Sequence, residues 1–503
     1  MALFDFLRRN EASPKRRKMP SGRRSYSGAN QGRLFADFLA SNTSADAELN
    51  NSLTVLRNRS RDLARNNEYA KRFLSMIKTN VVGEKGFTLQ VRARNIDGSL
   101  DATGNKIVED GFARWAKLGN PEVSGRMSWL DCQRYVAEAL ARDGEVFAKK
   151  VRSNRYQDGF SLQFLEPEMV DTEKNGRAQN GNEIRMGVEL DQYHRPVAYY
   201  VKTRHPNDMA IATAQNSAKL VRVDASEMIH IFMQQRQYQT RGEPFMAPAI
   251  ASLKMLGGYR EAELVAARAA AAKFGIITTP SGDEFVGDDV VDDVPIIDME
   301  PASVYQLPEG HDFKMIDPTH PTTAFDSFEK AVLRGIASGL NVSYTSLAND
   351  LTGVSYSSIR QGTIEERDNY KMLQSFVIEH FCEPVFNAWL DSALDFGSMN
   401  IPATNEKFNK FSSNIIFRGR GFAWVDPQRE INASVTAINN GLLSMTDVAN
   451  NYGRDVEDLF SQIQSDKEMA ERFGLSMAFE PFGNKSPATP DVESGEEQDD
   501  GEL

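Results

Sequence analysis

The sequence predicts an α+β fold in which strands and helices occupy different stretches of the chain. Three observations carry this. Short alternating runs with hairpin signals crowd into 83–233, two long helical patterns at 248–274 and 323–338 bracket an acidic block, and a polar, turn-rich stretch from 341 to 367 lies between helical patterns.

Taken in order, residues 8–24 carry eight Lys or Arg among Pro, Ser and Gly with little apolar content, so 1–44 reads as a solvated basic arm. Over 45–82, Leu53, Leu56, Leu63, Tyr69, Phe73, Leu74 and Ile77 supply the buried face of one or two helices, and Gly83 supplies a stop. Residues 87–93 alternate like a strand. Helices are expected over 107–117 and 129–142, the second capped by Ser128 with Asp131 in its first turn. Strands are expected over 145–152, 161–165, 185–190, 196–202 and 228–233, with turns at Asp158-Gly159 and Asn175-Gly176.

At 248–274 the character changes to a helix with an alanine run from Ala266 to Ala272, roughly 40 Å long at 1.5 Å per residue. Asp283, Glu284, Asp288, Asp289, Asp292 and Asp293 open an acidic block that holds no Lys or Arg between Lys273 and Lys314. Strand-like runs at 275–279 and 303–307 bracket it. Phe325, Phe328, Val332, Leu333 and Ile336 then mark a second helix that stops at Gly339. After the polar loop, Ile359, Ile364, Tyr370, Leu373, Val377 and Phe381 mark a third, bent or ended at Pro384. A strand at 414–417 and helices at 426–443, 446–452 and 456–473 follow. The acidic, Pro- and Ser-containing stretch 484–503 reads as a disordered tail.

The 503 residues are 41% hydrophobic and 25% charged, ordinary for packed domains, and no apolar run approaches the ~20 residues needed to span a bilayer. A net charge of −12 argues against a surface that wraps nucleic acid, because affinity for phosphate comes mostly from Lys and Arg. Cys132 and Cys382 form neither a metal pair nor a disulfide framework, fit a reducing compartment, and read as buried thiols. The six histidines are scattered singly. There is no phosphate-binding GxxxxGK[ST], GxSxG, HExxH or strand-borne GxGxxG, and no calcium loop in the acidic block, so no catalytic residue, metal or cofactor is expected. The competing enzyme reading, a metal-dependent nuclease using the acidic block, would need carboxylates converging from separate elements rather than one run.

Around the polar loop, the pattern GLxVSYxxL at 339–347 followed by SYS in 354–360 resembles the portal proteins of tailed bacteriophages, of the lambda type. The helical stretch 57–82, Asp143-Gly144-Glu145 before a strand, Arg241-Gly242 before a helix and Asp426-Pro427 opening another fall in the order of that family, so the resemblance covers roughly 57–460. It implies a ring, dodecameric in the family, with a mixed wing over 45–247, a stem helix over 248–274, an acidic clip over 275–322, a second stem helix over 323–339 and a tunnel loop over 340–357. A helix returning to the wing over 358–425 and a helical crown region over 426–483 would complete it.

The resemblance further implies a structural, non-enzymatic role at one capsid vertex of the virion, after assembly in the host cytoplasm. Double-stranded DNA would pass the channel, driven by a separate terminase whose large subunit docks on the clip. A head-tail adaptor, the major capsid protein and scaffold would be the other partners, with the basic arm able to touch DNA, scaffold or shell. Asn341, Ser343, Tyr344, Ser346, Asn349, Ser355, Tyr356 and Arg360 would line or flank the tunnel. Lys330 and Arg334 on the stem would face the channel or pair with a neighbouring subunit's acids. Another oligomeric head-tail connector component is the alternative within the same class.

Overall fold

The computed structural model describes residues 42–206, 219–272, 275–278, 289–291, 294–296, 312–315, 324–422, 427–452 and 454–475. Helix Ala45–Asn66 starts where the Ser44 hydroxyl accepts from the Ala47 N–H, with Asp46 and Glu48 in the first turn. It ends because Asn67 turns extended (φ −119°), and the Asn67 side chain then accepts from Tyr69 and Ala70 to launch a second helix, Glu68–Ile77. A wide π turn, Lys78–Val82, follows. Helix Ala102–Trp115 begins earlier than apolar spacing suggested, because Asp101 caps Gly104 ahead of the first buried residue. Helix Trp129–Asp143 opens with a reciprocal capping box between Ser128 and Asp131.

Two antiparallel sheets follow. In the first, Glu145–Arg152 lies between Phe160–Leu165 and Met228–Phe232, which sets Phe147 opposite both Leu165 and His230. The second is a meander of Gly176–Arg177, Glu183–Arg185, Val188–Leu190, Pro196–Lys202 and Leu220–Asp224. Three expectations are corrected here. The run 185–190 is two strands, broken where Met186 (φ +45°) and Gly187 turn the chain. The turn expected at Asn175-Gly176 falls instead at 178–182, closed by Ala178 donating to the Asn182 carbonyl. Leu220–Asp224 was invisible to patterning because Val223 is its one buried residue.

Within the meander the Glu189 side chain is fully buried. It accepts from Arg222 at 2.9 Å, from Asn180 and Asn182, and from the Tyr200 hydroxyl. The Arg222 bond, opposed by burial and reinforced by the two amides, holds its pKa down to about 2. Because the folded pKa lies below the unfolded value, this carboxylate stabilises the sheet fully above about pH 4.5, and the contribution is lost as pH falls toward 2. Acid unfolding of Glu189→Gln followed by circular dichroism should therefore be shallower between those values than that of the parent chain.

The core gathers the two halves of the sequence. Phe112 stands at its centre, with ring centroids 5.1 Å from Trp389, 5.3 Å from Trp115, 5.5 Å from Phe386 and 5.8 Å from Trp129. Buried indoles are satisfied at Trp115, which donates to the Phe160 carbonyl, and at Trp389, which donates to Asp158. Cys132 and Cys382 are buried here as expected, and desolvation pushes both thiols up.

Helix Ile250–Ala272 and helix Phe325–Gly339 are present as the sequence predicts. Between them, Gly275–Thr278 pairs with Asp312–Met315, and Asp289–Val291 pairs with Val294–Ile296. Asp289 thus sits on a hairpin strand. Asp283, Glu284, Asp288, Asp292, Asp293 and the expected strand at 303–307 lie outside the described residues.

Pro384 does not end its helix. Tyr356–Val377 passes through a π turn, Ile378–Cys382, into Glu383–Phe396, so the proline falls in a first turn where its missing N–H is tolerated. Asn405–Ser412 leads to Ile415–Arg418, which pairs with the distant Thr88–Val91. Pro427–Asn439, Met445–Asn451 and Val456–Arg472 are the last helices among the described residues.

Candidate functional site

The polar stretch after Gly339 is more structured than a loop. Asn341 (φ +57°) turns the chain out of the helix, and the Ser343 hydroxyl caps a single helical turn, Tyr344–Ala348. Asn349 (φ +53°) ends that turn in the left-handed region that Asn tolerates. The Asp350 carboxylate accepts from the Thr352 N–H and hydroxyl, an Asx turn, and Ser355 caps the helix that begins at Tyr356.

The root of the segment is tied at two points. Glu366, buried on the returning helix, accepts from Ser343 at 3.0 Å, Ser346 at 2.8 Å and Tyr370 at 2.6 Å. At the second point the Tyr344 hydroxyl donates to Asp350 at 2.8 Å while the Arg334 guanidinium lies 5.3 Å from its ring centroid. Desolvation together with that bond pushes the Tyr344 phenol up to about 12, and Thr352 and Tyr344 hold the Asp350 carboxyl well down. Lys330 pairs with Asp326 at 2.9 Å and approaches Asp350 at 3.7 Å.

Ser343, Tyr344, Ser346, Lys330 and Arg334 are therefore brought together, by partners within the chain. Asn341, Asn349 and Ser355 are exposed. Arg360 stands apart, 4.0 Å from Glu430, and Tyr356 opens its helix. The exposed tip also carries Leu351, with 64% of its surface open. Sequence reasoning missed Glu366. The available signal was a carboxylate falling in the apolar stripe of Ile359, Tyr370 and Leu373.

A second constellation explains the two short motifs. Glu145 is fully buried, and Arg241 grips it at 2.7 Å while Arg57 reaches it at 2.6 Å, His230 at 3.0 Å and the Gly242 N–H at 3.1 Å. Burial alone would raise its pKa, but Arg241, His230 and Arg57 more than reverse this and leave the carboxyl well below the usual range. Burial in turn lowers the His230 pKa, so the neutral ring donates. Arg241 spends its remaining donors on the Met186 and Pro167 carbonyls, while Arg61 bridges Asp143 at 2.7 Å and Glu168 at 3.0 Å.

Gly144 (φ +87°) and Gly242 sit back to back. A Cβ on the first would land on the Glu243 backbone, and one on the second would land on the Gly144 carbonyl oxygen. Asp143-Gly144-Glu145 and Arg241-Gly242 are thus the two sides of one buried ionic knot that fastens the first helix to the three-stranded sheet. Its centre, Glu145 with Arg57 and Arg241, is closed to solvent.

The comparisons with known proteins bear on what this scaffold is. Residues 31–374 match the family model described as phage portal protein, lambda family. The probable portal protein of Halomonas phage phiHAP-1 is 35% identical over 494 residues, spanning 96% of this chain and 94% of that one. Portal protein B of Escherichia phage lambda is 24% identical over 460 residues, 83% of this chain and 84% of that one. A chain from the solved virion of a native gene transfer agent particle overlays at 12% identity with a TM-score of 0.40, over 78% of this chain and 93% of that chain. With the family model spanning well over half of its residues, the chain belongs to the lambda family of phage portal proteins.

Proposed function

We propose that the chain forms a ring of twelve copies at one vertex of a phage capsid, through which double-stranded DNA is packaged and later ejected, with no enzymatic activity of its own. The observation that carries this is the segment 341–355, tied at its root and open at its tip, mounted on the end of helix Phe325–Gly339, which with its neighbour Ile250–Ala272 leaves apolar side chains uncovered. On Ile250–Ala272 and Phe325–Gly339, the side chains of Met255, Leu264, Val265 and Phe328 are exposed in a single copy. Such faces fit close contact with neighbouring copies in a closed ring. In this reading 248–274 and 323–339 are the stem, 275–322 the clip, 340–357 the tunnel loop and 45–247 the wing, with 426–483 the crown. The terminase large subunit and then a head-tail adaptor dock on the acidic clip through Asp283, Glu284, Asp288, Asp289, Asp292 and Asp293, while wing and crown meet capsid protein and scaffold. Asn349 and Leu351, rather than the tied Tyr344, reach farthest toward the DNA.

Native mass spectrometry with negative-stain imaging tests the ring. Twelve copies around a central hole are expected, and a monomer that never enters procapsids would overturn the reading. Removing the acidic residues 283–293 should leave rings intact and weaken terminase docking. Undiminished docking would sink the clip assignment.

A further inference from the structure

A cleft of about 1010 Å³ lies where the stretch after the second helix, Lys78–Gly86, meets helix Trp129–Asp143, the segment 418–421, Tyr452 and Arg454. Among the described residues its lining holds six cations against three carboxylates, of which Glu84 is exposed, in a chain whose net charge is −12. Lys78 is matched by Glu138 at 2.9 Å, and Arg418 by Asp455 at 2.8 Å. Asp131 is spent on the Ser128 capping box. That leaves Lys85, Arg134, Arg420 and Arg454 with no carboxylate at ion-pair distance among the described residues. Arg134 donates to the Gly83 and Glu84 carbonyls, Arg420 to the Thr79 carbonyl and Asn80, and Arg454 to Gln462. Lys85, Arg420 and Arg454 are exposed.

Two further properties narrow the occupant. Among the described residues the lining is polar apart from the rings of Tyr135 and Tyr452. Thr79 and Thr88 add hydroxyls to its wall. Guanidinium, ammonium and hydroxyl are groups that hold a sugar-phosphate chain in register without reading bases.

We infer that this cleft binds the phosphodiester backbone of DNA, giving an acidic protein one local holding point for nucleic acid. The inference rests on the portal reading and names a contact separate from the tunnel loop. Its rival occupant is the acidic stretch 484–503 of the chain itself.

The test uses the full-length assembled protein and a short fluorescein-labelled DNA duplex, read by fluorescence anisotropy across a salt series. Replacing Lys85 and Arg454 together by Ala, both on the surface, should weaken binding on the order of tenfold or more and flatten the slope of log affinity against log salt by about 1.8, at about 0.9 per phosphate contact. Lys85→Arg with Arg454→Lys should restore both. Unchanged affinity and slope in the Ala variant would overturn the inference, provided melting temperature matches the parent. So would a variant effect that disappears once residues 484–503 are removed, which would assign the cleft to the tail. Ring formation and virion incorporation of the same variants are scored separately, so the portal reading stands or falls independently.

Discussion

Arg241→Met is expected to cost about 3–5 kcal/mol of folding stability, the range for removing one partner of a buried ion pair. Met fills much of the volume, but Glu145 would then be a buried carboxylate holding only Arg57, His230 and one backbone N–H. The Met186 and Pro167 carbonyls would also lose their donor. Arg241→Lys should recover a fraction of the loss, since an ammonium keeps the charge but cannot reproduce the guanidinium fork. Denaturant unfolding of the three proteins, followed by far-ultraviolet circular dichroism, measures the order. A double variant, Arg241→Met with Glu145→Met, should cost less than the sum of the two single variants, because each single variant strands the other's charge. If the single variant loses under 1 kcal/mol, the knot is not what fastens the first helix to the sheet.

These two constellations also show what could be read in advance. Segments whose apolar residues keep strict helical spacing, such as Phe325–Gly339, were legible, as was the Ser128 cap, because the physics that makes them is local. The short motifs at 143–145 and 241–242 were visible as strings, but their reason was not. Glu145 and Arg241 are 96 residues apart, and no local rule shows that two glycines must touch so that the charges can meet. Strand Leu220–Asp224 failed for another reason: one buried residue in five gives no alternation. The loop failed in part, since two of the hydroxyls read as a free polar surface, those of Ser343 and Ser346, are taken by Glu366, a residue in the following helix.

Glu366→Ala should separate the position of the loop from its composition. The substitution leaves Ser343, Ser346 and Tyr370 without their shared acceptor. Leaving buried polar groups unsatisfied costs about 1–3 kcal/mol, and 2 kcal/mol moves a closed-to-open ratio by roughly thirtyfold. Amide hydrogen exchange over 341–355 in assembled rings should therefore speed up by about that factor, with the aromatic core around Phe112 unaffected. Glu366→Gln keeps one carbonyl oxygen and should fall between. Because the helices on either side keep their own packing, rings should still form while packaged DNA per particle falls. The second anchor predicts a contrast. Tyr344→Phe removes only the bond to Asp350 and keeps the ring under Arg334, so its effect on exchange should be smaller. If the Ala variant packages normally although its loop exchanges faster, the held geometry of 341–355 is not what DNA requires. If exchange is unchanged, Glu366 is not the anchor, and the loop is held instead from the Asp350 side or by a neighbouring copy.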